Sequence, residues 1–166
     1  MRSIAVAILV IVLLVAILQP LIETSNVLKE KVTLGAAILN SCRAARSNAL
    51  NDEDMRDLNA YINETMFKQY FAEAFCETLE LDLISPIGAG DLVFSSPSGR
   101  WGVITVSLQL DSPSDLYFSG REVIKADISL STPYVFRMSL LRETAGLLPS
   151  AFMITETRGF EVQIIN

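Results

Sequence analysis

The spacing of hydrophobic positions divides this chain into an apolar start, a helical middle and an alternating end. Residues 4–22 are uncharged and almost wholly apolar, interrupted only by Gln19 and Pro20. A bilayer core about 30 Å thick is crossed by roughly 20 helical residues, so this segment has the length of a transmembrane helix. Arg2 and the α-amino group precede the segment, and positive flanks stay in the cytoplasm. The pattern therefore predicts a single-pass membrane protein with a cytoplasmic N-terminus and an extracytoplasmic C-terminal domain.

A cleaved signal peptide is the alternative to an uncleaved anchor in residues 1–22. Arg2 would then form its basic region and residues 4–18 its apolar region. The residues that follow Ala16 are bulky or include Pro20, and they lack the small-x-small pattern that a signal peptidase recognises. An uncleaved anchor is therefore the favoured interpretation.

Helical spacing continues beyond the apolar segment without a linker. Pro20 removes one helical hydrogen bond and is expected to kink the helix there. Further along, apolar and small residues recur at alternating spacings of four and three, the spacing of a helix-packing seam. This predicted seam consists of Leu28, Val32, Gly35, Leu39 and Cys42. A second amphipathic helix is predicted over residues 52–81, so that residues 23–82 form a helical hairpin or stalk.

After a passage rich in proline and glycine, the hydrophobic period changes to two. Several segments have the alternation of half-buried strands. They are residues 104–110, 124–130, 134–140, 151–157 and 160–165, the last two flanking a predicted tight turn at Arg158 and Gly159. Helices followed by strands predict an α+β fold with an antiparallel meander. The second helix is expected to cover the apolar face of this sheet, which forms a head over residues 83–166.

Charge and composition argue against several classes of function. The net charge is -6 and the isoelectric point is about 4.6, whereas nucleic-acid binding needs clustered lysine and arginine. The same acidity argues against adhesion of the extracytoplasmic domain to anionic lipid. The chain has no histidine, the usual general base and a frequent partner of catalytic nucleophiles. We therefore expect no enzyme, no cofactor and no small-molecule substrate.

The two cysteines, Cys42 and Cys76, would lie in an oxidising compartment in this orientation, where a disulfide can form. If two antiparallel helices turn near Asn51, the cysteines lie about 14 Å and about 37 Å from the turn, at ~1.5 Å per residue. A disulfide needs Cα atoms within ~7 Å. Two small buried residues are therefore the favoured interpretation, with a disulfide as the alternative. Two thiols without histidine do not predict a zinc site.

The order of elements resembles that of pilins. In residues 4–50, a membrane span continues into a long helix that bends at Pro20, and a β-rich head follows. Within that class, the basic start, the end of the span at residues 19–23 and the small-residue helix are most similar to TadE-type, tight-adherence pilin-like proteins. The chain differs from type IV pilins because no glycine precedes Gly35 and no acidic residue precedes Glu23. Processing by a prepilin peptidase is therefore not expected.

The resemblance implies a structural function at the cell surface. It implies a major or minor subunit of an extracellular filament, or of a secretion or adhesion apparatus. Such a subunit is stored in the membrane and assembles through its N-terminal helix with copies of itself or with other pilin-like subunits. The alternative is a solitary membrane-anchored accessory or binding module of a secretion or assembly complex, with a recognition surface on the loop around residues 95–101 or 111–121.

Overall fold

The computed structural model describes residues 2–49, 64–88, 90–110, 122–137, 142–143 and 152–165. Two helices precede five strands. The elements are α1 (Arg2–Ala49), α2 (Glu64–Leu79), β1 (Asp82–Leu83), β2 (Leu92–Ser95), β3 (Ile104–Leu110), β4 (Glu122–Pro133) and β5 (Met153–Ile165). The strands form one sheet in chain order, and all neighbouring strands are antiparallel. The predicted α+β fold with an antiparallel meander is confirmed.

The apolar start of α1, residues 3–18, has no buried side chain. The helix has 48 residues and is about 72 Å long at 1.5 Å per residue. Side chains 3–18 are all exposed, and the most apolar window has a mean hydropathy of 3.0. Within the described residues, α1 is the one helix long and apolar enough to cross a membrane. Pro20 lies inside this continuous helix, and the kink there stays a prediction.

The second half of α1 is part of the hydrophobic core of the head. It packs against α2 and β5 through side chains that recur every three or four residues, the period of one helix face. The buried apolar residues of this face are Leu34, Ala37, Ile38, Cys42, Ala45 and Ala49. One helix therefore has an exposed apolar half and a half that holds the head together.

The second helix contributes the aromatic part of the core, as its period predicts. Phe67, Phe71 and Phe75 are fully buried. The rings of Phe71 and Phe75 stack with centroids 5.5 Å apart, and the ring of Phe75 lies 5.0 Å from that of Phe94 on β2. This contact places α2 over the sheet. Residues 50–63, which include the predicted turn and the predicted start of this helix, lie outside the described residues.

The strand prediction over residues 151–165 is wrong in one respect. Residues 151–157 and 160–165 were expected to be two strands around a turn, but β5 is a single strand of 13 residues. Arg158 pairs with Ile128, and Gly159 pairs with Asp127. An Arg-Gly pair makes a tight turn when the flanking strands pair with each other. Here the long β4 pairs with both sides, and the dipeptide stays within the ladder.

The predicted bounds of β3, residues 104–110, are those of the structure. Two further differences concern the segments before and after the central strands. The proline- and glycine-rich passage before β3 contains β2, in a strand-like run after Gly90 for which the pattern gave no bounds. Residues 134–136 were predicted as part of a strand but follow β4 without strand pairing, because β4 ends at Pro133. The alternation there still matches burial, since Tyr134 and Phe136 are buried. Residues 138–140 lie outside the described part.

Candidate functional site

Two acidic side chains of α1 are buried where the helix enters the head. Glu23 is 4% exposed and Glu30 is 5% exposed. They are separated by about two helical turns, so they lie on the same side of α1. A buried carboxylate is costly unless it is hydrogen-bonded or paired with a cation. Their burial therefore identifies a polar junction directly after the apolar span.

Tyr134 lies at the end of the head nearest the apolar span, here called the base of the head, and contacts Glu23 at the beginning of the junction. Its hydroxyl donates a hydrogen bond of 2.5 Å to Glu23 Oε2, and its backbone N–H donates to the carbonyl of Phe152 at 2.8 Å. Burial and the hydrogen bond to Glu23 raise the pKa of Tyr134. The phenol therefore remains a protonated donor to the carboxylate. The contact fixes the segment after β4 against the first turns of α1 beyond the span.

Glu30 faces a more open and more basic environment. Arg137 Nη2 lies 3.8 Å from Glu30 Oε1. Burial raises the pKa of Glu30, and the positive charges of Arg137 and Arg100 offset this only in part. The carboxyl group is thus held between desolvation, which favours its neutral form, and arginines that favour its charged form.

A third buried acid, Glu156, links β5 to α1. Arg158 Nη2 lies 2.6 Å from Glu156 Oε1, and Lys31 Nζ lies 3.5 Å from Glu156 Oε2. Gly35 of α1 packs against this ion pair: a Cβ atom there would lie 3.0 Å from Arg158 Nη2 and 3.3 Å from Glu156 Oε1. Because glycine has no Cβ atom, the ion pair of Arg158 and Glu156 can pack directly against α1 at Gly35.

An apolar cleft of about 420 Å³ opens beside Glu23. Two edge-to-face ring pairs form its wall, with centroids 4.9 Å apart for Tyr134 and Phe136 and 4.8 Å apart for Phe136 and Phe152. Pro20 and Val27 border the cleft on the side of α1. This apolar cleft thus lies level with the end of the apolar span.

A second cleft of about 370 Å³ is basic. Its lining residues include Glu30, Gly99, Arg100, Phe136, Arg137 and Arg142. Gly99 has φ 66°, a conformation that favours glycine, and its turn positions Arg100. The guanidinium of Arg100 lies 4.9 Å from the ring centroid of Trp101. Since Phe136 lines both clefts, the basic cleft adjoins the apolar one.

The five residues of the predicted seam lie on one side of α1, but their environments differ. Leu28 is 60% exposed and Val32 is 70% exposed, whereas Cys42 is fully buried. Gly35 is buried as well and Leu39 is half-buried. The buried face passes through Glu23 and Glu30, and these acids made the true stripe look polar in the sequence. Gly35 and Cys42 therefore pack within the protein itself, whereas Leu28 and Val32 are largely exposed.

Both cysteines are free thiols in the structure. Burial raises the pKa of Cys42 to about 12. Burial and the negative charge of Asp82 raise the pKa of Cys76. Both groups therefore stay protonated at neutral pH and behave as small apolar side chains.

From the sequence, Pro20 was expected as a kink and residues 95–101 as a recognition loop of the accessory module, but the buried acids, Tyr134 and Arg137 were not predicted as a site. The available signal is the pair Glu23 and Glu30, which follows an apolar span at a spacing of seven. Among the described residues, no group of three or more histidine, cysteine, aspartate or glutamate side chains could hold a metal ion. No protein-family model, curated protein or solved structure matches the chain. Function is therefore inferred from the geometry of the molecule itself.

Proposed function

We propose that this protein is a membrane-anchored, pilin-like structural subunit of an extracellular filament or of a secretion or adhesion apparatus. The observation that carries the proposal is the division of α1 into an exposed apolar half and a half buried in the head. An apolar helix that is exposed all round needs lipid or other helices around it. Transfer from lipid into a bundle of apolar helices exchanges one apolar environment for another. The same segment can therefore serve as an anchor and as an assembly element.

The surface proposed for assembly is the exposed face of α1 just beyond the span. Leu28 and Val32 lie on it, one helical turn apart, and both are largely exposed. They point away from the face that carries Leu34 and Ile38, which are fully buried. Large apolar side chains that continue an apolar span are suited to contact with a neighbouring helix. Gly35 is not part of this surface because its open side is occupied by Arg158 and Glu156.

Negative-stain electron microscopy of material sheared from producing cells, with an immunogold label on the head, tests the proposal. The unchanged chain is expected to form labelled filaments. The double variant Leu28→Gln, Val32→Gln is expected to lose them while keeping its melting temperature, because neither side chain is in the core. The matched control is Ile84→Gln, Val103→Gln, two aliphatic residues of the head with similar exposure. Labelled filaments from the Leu28 and Val32 variant would refute this surface.

A solitary anchored accessory or binding module is the second candidate, and the polar junction favours it. The bonds from Glu23 to Tyr134 and from Glu30 to Arg137 hold the base of the head next to the end of the span. This arrangement suits a module that works at the membrane surface without polymerising. It predicts that sheared material contains no filaments and that all label stays with the membrane.

A further inference from the structure

We propose that the base of the head binds the headgroup of an anionic phospholipid from the membrane that holds α1. Arg100, Arg137 and Arg142 are the ligands of the headgroup phosphate, and the apolar cleft beside them receives the upper part of an acyl chain. The inference requires the membrane anchor, which the proposed function and its alternative share. It does not require filament assembly.

The position of the two clefts along α1 matches the layers of a membrane. The apolar cleft borders Pro20 and Val27, at the end of the apolar span. The basic cleft borders Glu30, eight residues beyond Ile22 and therefore about 12 Å further along the helix at 1.5 Å per residue. The headgroup layer adds roughly 5–8 Å to each side of the hydrocarbon core, and the long arginine side chains can extend towards it. A lipid whose phosphate is in the basic cleft therefore has its acyl chains directed towards the apolar one.

The charges around the basic cleft are complementary to a phosphate group. Three arginines face one acid, Glu30, which is buried and whose pKa is raised. Arg137 is largely exposed and lies 3.8 Å from Glu30, a long ion pair that leaves guanidinium donors available. The guanidinium carbon of Arg100 lies over the ring of Trp101, 4.9 Å from its centroid, and a cation–π contact of this kind does not use the N–H donors that bind a phosphate. Arginine is well suited to phosphate because it can donate two parallel hydrogen bonds.

The apolar cleft favours a lipid over a free phosphate as the ligand. Phe136 forms a wall of both clefts, so one amphiphilic molecule can occupy both. Phe152 and Met153 line the apolar cleft, and both remain partly exposed. Aromatic side chains of this kind are typical of the membrane interface. The net charge of -6 argued against binding to anionic lipid, but three arginines from two distant segments give the base a local positive charge.

Native mass spectrometry of the full chain from neutral detergent micelles tests the inference. The micelles contain phosphatidylglycerol and phosphatidylcholine in equal amounts, so that the two lipids compete for the protein. The unchanged chain is expected to retain phosphatidylglycerol about tenfold more than phosphatidylcholine. The variant Arg100→Gln, Arg137→Gln is expected to lose this preference. The control Arg43→Gln, Arg46→Gln removes the same charge from exposed positions near the other end of α1 and is expected to keep it.

Equal retention of the two lipids by the unchanged chain would overturn the inference, and so would a preference that survives Arg100→Gln, Arg137→Gln. A preference lost equally in the control would show a general effect of charge instead of a site. Displacement of the lipid by equimolar glycerol phosphate would show a site for free phosphate. Arg142→Gln alone, expected to reduce the preference about threefold, keeps the test valid if the double variant does not fold. Filament assembly does not affect this measurement, so the two proposals can fail separately.

Discussion

Three buried carboxylates connect α1 to the rest of the head, in addition to the apolar core. Glu23, Glu30 and Glu156 are each nearly inaccessible to solvent, and each faces a hydroxyl group or a cation. Removal of one partner from such a contact costs more than the contact contributes, because a buried polar group is left without its bond. Substitutions on the partner side therefore measure how strongly the head depends on the junction.

We predict that Tyr134→Phe lowers the free energy of unfolding by about 1.5–3 kcal/mol, the range for a hydrogen bond to a charged group. The substitution removes the hydroxyl that donates to Glu23 and leaves the ring in place. The matched control is Tyr70→Phe on α2, because the hydroxyl of Tyr70 has no hydrogen-bond partner among the described residues. Thermal unfolding of the full chain in detergent, followed by circular dichroism, measures both. Equal, small effects of the two substitutions would contradict the prediction.

Glu30 should make stability depend on pH in a defined direction. Its pKa is raised above the ordinary value of 4.5 by burial, against the opposing charges of Arg137 and Arg100 and with a further contribution from Glu23. Between 4.5 and the raised pKa, the folded state binds a proton that the unfolded chain has released. The contribution of Glu30 to the free energy of unfolding therefore falls as pH rises through this window.

We predict that Glu30→Gln removes this fall, so that the variant gains stability relative to the unchanged chain as pH rises from 4.5. Melting temperatures measured at half-unit steps from pH 4 to pH 7.5 give the difference. Glu161→Gln, at an exposed position of β5, is the control and should show no such trend. A difference between Glu30→Gln and the unchanged chain that is constant over this range would show that Glu30 does not titrate there.

At the scale of elements, hydrophobic periodicity was sufficient to predict the bounds or the buried face of a strand or helix that buries only apolar side chains. The alternation in residues 104–110 gave β3 its bounds, and the aromatic period gave α2 its buried face. Periodicity misled on α1, because its buried face includes Glu23 and Glu30 while Leu28 and Val32 are exposed. A pattern of hydrophobicity does not reveal which acids will be paired in the fold.

The candidate site could not be predicted for a related reason. Tyr134 and Glu23 are 111 positions apart, and nothing local in the sequence of either residue indicates the other. Arg100 lies after a turn and Arg137 follows β4, so the basic cleft exists only once the meander is folded against α1. The dipeptide Arg158-Gly159 shows the same dependence, since the partner strand β4 determines that it remains extended. Contacts between residues far apart in the sequence therefore determine the junction, the basic cleft and the conformation of Arg158-Gly159.

The C-terminus of α2 offers a test of local conformation. Glu80 follows the helix with φ 54°, and the N–H of Leu81 donates to the carbonyl of Cys76 at 3.0 Å, as in a Schellman cap. A residue with a side chain is strained in this left-handed conformation, and glycine is not. We predict that Glu80→Gly raises the free energy of unfolding by up to about 1 kcal/mol.

Glu77→Gly is the matched control for Glu80→Gly, because it makes the same exchange inside α2 at an exposed position. There glycine should lower the free energy of unfolding by about 1 kcal/mol. Denaturant or thermal unfolding in detergent gives both values. Opposite signs are the expected outcome, and destabilisation by both substitutions would show that the cap does not strain Glu80.

At the scale of the whole molecule, the junction joins two parts with different environments. The start of α1 is apolar and exposed, whereas the rest of α1, α2 and the sheet share one hydrophobic core. The contacts of Glu23 and Glu30 lie where these parts meet, within a few turns of the end of the span. A protein built in this way should keep its head close to the membrane, on the side opposite to Arg2.

The orientation of the chain can be measured by cysteine labelling in membrane vesicles. Positive charge before the span should keep the N-terminus cytoplasmic. We predict that Ser98→Cys, in an exposed turn of the head, reacts with a membrane-impermeant maleimide in right-side-out vesicles and not in inside-out ones. Ser3→Cys, the same substitution before the span, should show the reverse. Both variants carry Cys76→Ala, while Cys42 stays because it is fully buried. Labelling of both positions from one side would mean that α1 does not span the membrane, and an exchanged pattern would place the head in the cytoplasm.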